Sequence, residues 1–336
     1  TTGIRSILNN NGSGKPGEYG PQPIITIDGK YAADITAGYG NGVYVSGKWD
    51  QQSHMPIVNL NDTSIKITGS GNAIKIGKAD RLYSFRRDGW GAGQLNWKDG
   101  ANVNIDQNGA TGEAIAIVYS GSVLSAPGVN EFKVVAQGNS IRVGNDILTN
   151  AVQASTGLID VKINNAYFRT TTANTSLIRV DPEQKNASLL FTGAGTDLTA
   201  ASNGYIIDVQ GNTAAASSAA SLVFDGSAKT TGLVNKTANS TLNVGLHNNS
   251  TWTLAEKTSG AVATSTFTNV SMTAGSTLNA FKPGAAAFLM QGQDVGSSAS
   301  TMNLVDTEPN DVLTLSLTGG SSTYAASDGA MLRVDT

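Results

Sequence analysis

SLLFTG at Ser188–Gly193 returns as SLVFDG at Ser221–Gly226, thirty-three residues later. LIRV at Leu177–Val180 precedes the first copy, IIDV at Ile206–Val209 precedes the second, and LVNK at Leu233–Lys236 is a looser third echo. Set one above another, the segments read SLIRVD…ASLLFTG, YIIDVQ…ASLVFDG and GLVNKT…STLNVG. Each unit therefore holds at least two short strands separated by a polar bend. STLNV at Ser240 also returns as STLNA at Ser276 and STMNL at Ser300. A degenerate period of about 20 to 35 residues, built from short strands, is the pattern of a solenoid in which each turn stacks on the next. The expected fold is all-β, a right-handed three-faced parallel β-helix. A β-propeller is the main rival, but its blades need four antiparallel strands in about 40 to 50 residues, and this repeat is too tight.

The rest of the chain extends that reading. Short Ile/Val/Leu runs recur at 24–27, 65–67, 74–76, 103–105, 115–118, 159–163 and 313–317, each closed by Gly, Asn, Asp or Ser. Such strands are marked by their turn residues. No twelve-residue window keeps apolar positions at helical spacing without Gly, Thr or Asn breaks. Strands this short bury nothing alone, whereas stacked coils pair their backbone groups and share one long core. Four prolines fall before position 57, and AGYGNGVYVSGKW is rich in Gly and Tyr, so residues 1–60 are expected to form an N-terminal cap and irregular first coils. Residues 61–336 are expected to form the β-helix proper. Because GAMLRVDT ends inside a strand pattern, a C-terminal cap is expected beyond it.

Composition excludes several classes of function. A net charge of −3 and a pI near 5.4 leave no basic footprint for nucleic acid. With no cysteine, disulfides, thiolate metal sites and cysteine nucleophiles are out, which suits export through an oxidising compartment. No apolar run approaches the roughly 20 residues that span a bilayer. Only two histidines occur, His54 in QQSHMPI and His247 in an Asn-rich turn, and neither lies beside the glycine elbow of a nucleophile. No metal and no cofactor is expected. GVYVSGKW at 42–49 nearly spells a phosphate loop, but Trp49 stands where a hydroxyl must reach a metal and no helix follows.

Two groups of residues remain as candidates. LYSFRRDGWGAGQLNWKDG at 82–100 concentrates aromatic and basic side chains in a chain only 6% aromatic. Insertions on a solenoid are held rigidly by the coils beneath and often carry binding. Arg86, Arg87 and Lys98 suit sulfate or carboxylate groups, and Trp90 and Trp97 suit a sugar face. The competing reading makes one Trp a core plug and RRDG a solvated turn. Asp160, Asp181, Asp208 and Asp225 each close a strand at comparable points of the repeat, and are expected to form an acidic ladder on one face or to serve as turn residues. A carboxyl pair about 5 to 9.5 Å apart would instead make the chain a polysaccharide lyase or hydrolase.

LHNNSTWTL at 246–254, followed by STFTNVSMTAGSTLNAF at 265–281, resembles a recurring phrase of bacterial autotransporter passengers, in particular the diffuse-adherence and self-associating adhesins of enteric bacteria. The likeness covers about thirty-five residues in detail. It implies a non-enzymatic passenger displayed at the cell surface and exported through the periplasm and outer membrane by a C-terminal β-barrel, which would anchor the full-length protein. It further implies aggregation, biofilm formation or matrix binding, with an identical passenger on a neighbouring cell, a host matrix protein or a glycosaminoglycan as partner. The Gly-Asp-Ser-Gly motif of the protease branch is absent.

Overall fold

The computed structural model describes residues 4–7, 24–27, 33–37, 40–46, 55–77, 91–109, 112–144, 158–182, 184, 186–214, 217–254, 263–272, 275–280, 288–294, 301–305, 313–316 and 331–335. Every regular element among them is a strand, and the strands form three sheets of 8, 11 and 11 members. One coil runs from Ile115–Ile117 in the first sheet through Val123–Ala126 in the second to Glu131–Ala136 in the third. The next repeats the circuit with Ile141–Val143, Ile159–Asn164 and Ala166–Thr170. Each of these strands pairs in parallel with its counterpart one coil below. The chain is thus a three-faced parallel β-helix, and the parallel pairing removes the propeller. Neighbours in one sheet are joined through the other two, a crossover that right-twisted strands make right-handed.

The repeats seen in the sequence set the register. Ser188, Leu189, Phe191 and Thr192 lie beside Ser221, Leu222, Phe224 and Asp225. Ile178, Arg179 and Val180 lie beside Ile207, Asp208 and Val209, which in turn lie beside Val234, Asn235 and Lys236. The STLN echo behaves differently. STLNA and STMNL stack on the third face, Thr277 beside Thr301, whereas STLNV belongs to Ser240–Leu246 on the second, where Asn243 lies beside Asn269. Coils also begin ahead of position 60: Ile4–Ile7, Ile24–Thr26 and Ala33–Ala37 already occupy the three sheets.

Strand alternation sends every second side chain inward, and stacking puts like on like. On the first face Ile74, Ile115, Ile141, Ile178 and Ile207 form one buried ladder. On the third, Ile65, Ile105, Val134, Phe168, Leu198, Thr230, Trp252 and Leu278 form another. Thr230, the polar member, donates its hydroxyl to the carbonyl of Leu198 at 3.0 Å. Its small side chain sits beside Trp252, whose indole N–H reaches the carbonyl of Gly232 at 2.8 Å. An aromatic row crosses the interior: Trp97, Phe132, Phe168, Phe191 and Phe224, with successive centroids 5.0, 6.1, 5.6 and 5.9 Å apart.

The corners are tight. Asn165 alone separates Asn164 from Ala166, at φ 48°, a left-handed conformation that Asn tolerates better than most residues. At the corner leading into the first face, a Cβ at Gly112 would come within 2.1 Å of the carbonyl oxygen of Gly71, so backbone stacks on backbone there.

Phe168 lies at the middle of the aromatic row with no exposed surface. Phe168→Ala should lower folding stability by about 3–5 kcal/mol, the usual cost of emptying a buried aromatic site, and Phe168→Leu by clearly less. Chemical denaturation followed by far-UV circular dichroism reads the difference.

Candidate binding faces

Of the aromatic and basic stretch, Arg86, Arg87 and Trp90 lie outside the described residues. Its second half is a strand of the rod. Gln94–Trp97 pairs with Ile57–Leu60 below and Val123–Ala126 above in the second sheet. Alternation turns Leu95 and Trp97 inward. Trp97 is 4% exposed, donates its indole N–H to Thr63 Oγ1 at 3.2 Å, and meets Phe132 edge-on. Its expected role as a sugar platform is therefore corrected: its ring is a core plug. Lys98 follows at the exposed end of that strand, its backbone N–H bonded to the carbonyl of Leu60.

The four aspartates do not make one ladder. Asp160 stands on the second face beside Ser188, 2.9 Å from Lys162 Nζ, an exposed pair of small energetic weight. Asp225 shares that face four positions further along the strand, where it accepts Asn248 Nδ2 at 2.7 Å. Asp208 points outward from the first face, and Asp181 sits at the bend just after Ile178–Val180. Strand ends recur in every coil, but a three-faced coil has three of them, so similar local sequence lands on different faces.

Each first-face strand contributes one outward side chain, and register aligns them as Tyr44, Lys75, Ala116, Arg142, Arg179, Asp208 and Asn235. The sequence carries a signal for this column, the apolar–basic–apolar triplets IKI at 74–76 and IRV at 141–143 and 178–180. Asp181, 5% exposed, accepts Arg142 Nε at 2.6 Å and Arg179 Nε at 3.0 Å. Alongside runs a corner ladder. Asn72 Oδ1 accepts the N–H of Glu113, Glu113 Oε2 accepts the N–H of Asn139, and Asn139 Nδ2 reaches the carbonyl of Ser176, at 2.9, 2.7 and 2.6 Å. Burial raises the Glu113 pKa above the ordinary glutamate value, and the Asp181 charge adds to the rise. The Asn139 N–H, Arg142 and Arg179 pull it back down, and the upward influences prevail.

The second face carries amide columns. Asn96 Nδ2 donates to Asn59 Oδ1 at 2.8 Å, Asn59 Nδ2 to Thr26 Oγ1 at 3.3 Å, and Asn269 Nδ2 to Asn243 Oδ1 at 2.7 Å. Ser188 and Ser221 stand in the same outward column as Asn243. On the third face a closed network surrounds Tyr167. The Arg169 guanidinium lies 4.1 Å from the ring centroid, bonds Asp197 Oδ2 at 2.7 Å, and spends a further nitrogen on the carbonyls of Phe168 and Asp197. That ring face and that guanidinium are committed within the chain.

No protein-family model, curated protein or solved structure matches the chain.

Because the native state holds the Glu113 proton more tightly than the unfolded chain does, stability should rise as pH falls through the raised pKa toward the ordinary glutamate value. Glu113→Gln keeps an acceptor for Asn139 and removes the charge. Thermal melts at pH 7 and pH 5 should show the variant gaining less than the parent on acidification, and equal gains would contradict the assignment.

Proposed function

We propose that the chain is a cell-surface adhesin passenger of the autotransporter type, a rod that holds partners through its outer columns. The observation that carries this reading is the second face, where Asn, Ser and Thr side chains recur in line and link coil to coil. Hydrogen bonds offered by such a column are each worth about 0.5–1.5 kcal/mol. They become useful when many copies on two surfaces engage together. The phrase that resembles autotransporter passengers is consistent with this role as scaffold: Leu246, Trp252 and Leu254 are all buried. An identical passenger on a neighbouring cell is the partner such a column suits best, since amide groups both donate and accept. Matrix protein or glycosaminoglycan binding belongs to the same proposal. So do the bacterial cell surface as location, a non-enzymatic role, and outer-membrane anchoring by a β-barrel.

Cells displaying the chain should settle from suspension. Asn59→Lys, Asn96→Lys and Asn243→Lys together, all outward substitutions, should abolish most of that settling at unchanged surface display. If settling and matrix adhesion both survive the triple variant, the second face is not adhesive.

A further inference from the structure

Lys75, Arg142 and Arg179 occupy the same outward position of the first sheet, with Ala116 between the first two. Strands in a sheet lie about 4.8 Å apart, so three coil steps separate Lys75 from Arg179 by about 14 Å. Arg142 and Arg179 are immediate neighbours, and two like charges at that spacing repel unless something holds them. Asp181 does so, one carboxylate oxygen on each Nε. Its side chain is only 8% exposed and leans over Gly144, where a Cβ would come within 2.5 Å of Asp181 Cβ. Glycine at 144 is thus what lets a single carboxylate reach both arginines.

This clamp orients the pair. A guanidinium carries five N–H donors in a rigid fork. Asp181 takes the Nε donor of Arg179, whose side chain remains 48% exposed. The next carboxylate up the column, Asp208, is engaged by Gln210 Nε2 at 2.6 Å and by Asn235 Nδ2 at 2.7 Å, and Asn235 lies one coil further from Arg179. The contrast with Arg169, whose guanidinium is held by Asp197 and two carbonyls, marks the first face as the one presenting an arginine outward.

We infer that Arg142 and Arg179, held side by side by Asp181, form an oxyanion site for the sulfate or carboxylate groups of an acidic polysaccharide, with Lys75 as a further contact along the same column. Planar forks match such groups in bidentate fashion. Double-stranded DNA, with a charge every ~1.7 Å, calls for a far denser basic face. The site lies on a different face from the amide columns and does not rest on their adhesive role.

The test is retention of the purified chain on dextran sulfate against neutral dextran in a salt gradient. Arg179→Gln should weaken binding to dextran sulfate about tenfold, the loss of one charge-assisted hydrogen bond or more. Lys229→Gln, which removes an exposed cation from the third face, should leave it unchanged. Circular dichroism confirms that both variants fold. Equal losses in the two variants would mean bulk charge and overturn the site, as would unchanged retention of Arg179→Gln or tighter binding to duplex DNA than to dextran sulfate. Cells displaying Arg179→Gln should still settle, so failure here is separable from failure of the adhesive reading.

Discussion

Everything in this molecule depends on parallel main-chain pairing from coil to coil. A strand of three residues such as Ile141–Val143 buries two side chains and could not persist alone. Paired with Ile115–Ile117 below and Ile178–Val180 above, its backbone groups are satisfied and its isoleucine meets isoleucine. The pairing is strictly positional: a slip of one residue would turn Ile141 and Val143 outward and Arg142 into the core. Register and core composition therefore enforce each other along the rod.

The same constraint organises the exterior. Because like positions stack about 4.8 Å apart, whatever a strand presents outward is repeated in line. Asparagines in line become linked amides, as with Asn59 and Asn96. Arginines in line would repel, and the molecule answers with Asp181 between Arg142 and Arg179. Where a large side chain enters the core, its neighbour in the column is small: Trp252 stacks beside Thr230. Glycine serves where main chain passes close to main chain, as at Gly112 above Gly71, and where a carboxylate must lean across, as at Gly144 beneath Asp181.

Much of the fold was legible because repeats advertise register. SLLFTG and SLVFDG are stacked residue on residue, as are LIRV, IIDV and LVNK. Faces were less legible. STLNV and STLNA are nearly identical yet lie on different sheets, since a short Ser/Thr-capped strand suits any face. The same ambiguity split the four aspartates, two onto the second face and two onto or beside the first. Trp97 shows the opposite limit: its setting among Arg, Asp and Gly suggests surface, but the alternation of Gln94–Trp97 places it inside. Arg142 had a signal in its apolar–basic–apolar triplet. Glu113 had none, because its place in the corner ladder depends on Asn72 and Asn139 in the coils on either side.

By itself the sequence determined the class of fold, the coil as the repeating unit, and which residues alternate inward, because hydrophobic periodicity and turn residues are local properties. The tertiary structure alone decided which outward residues share a column. That depends on how many residues each corner consumes: 37 positions separate Asn59 from Asn96, and only 26 separate Asn243 from Asn269. Corners of unequal length erase any fixed spacing in the chain, so the meeting of Arg142, Arg179 and Asp181 exists only once backbone pairing has brought their coils together.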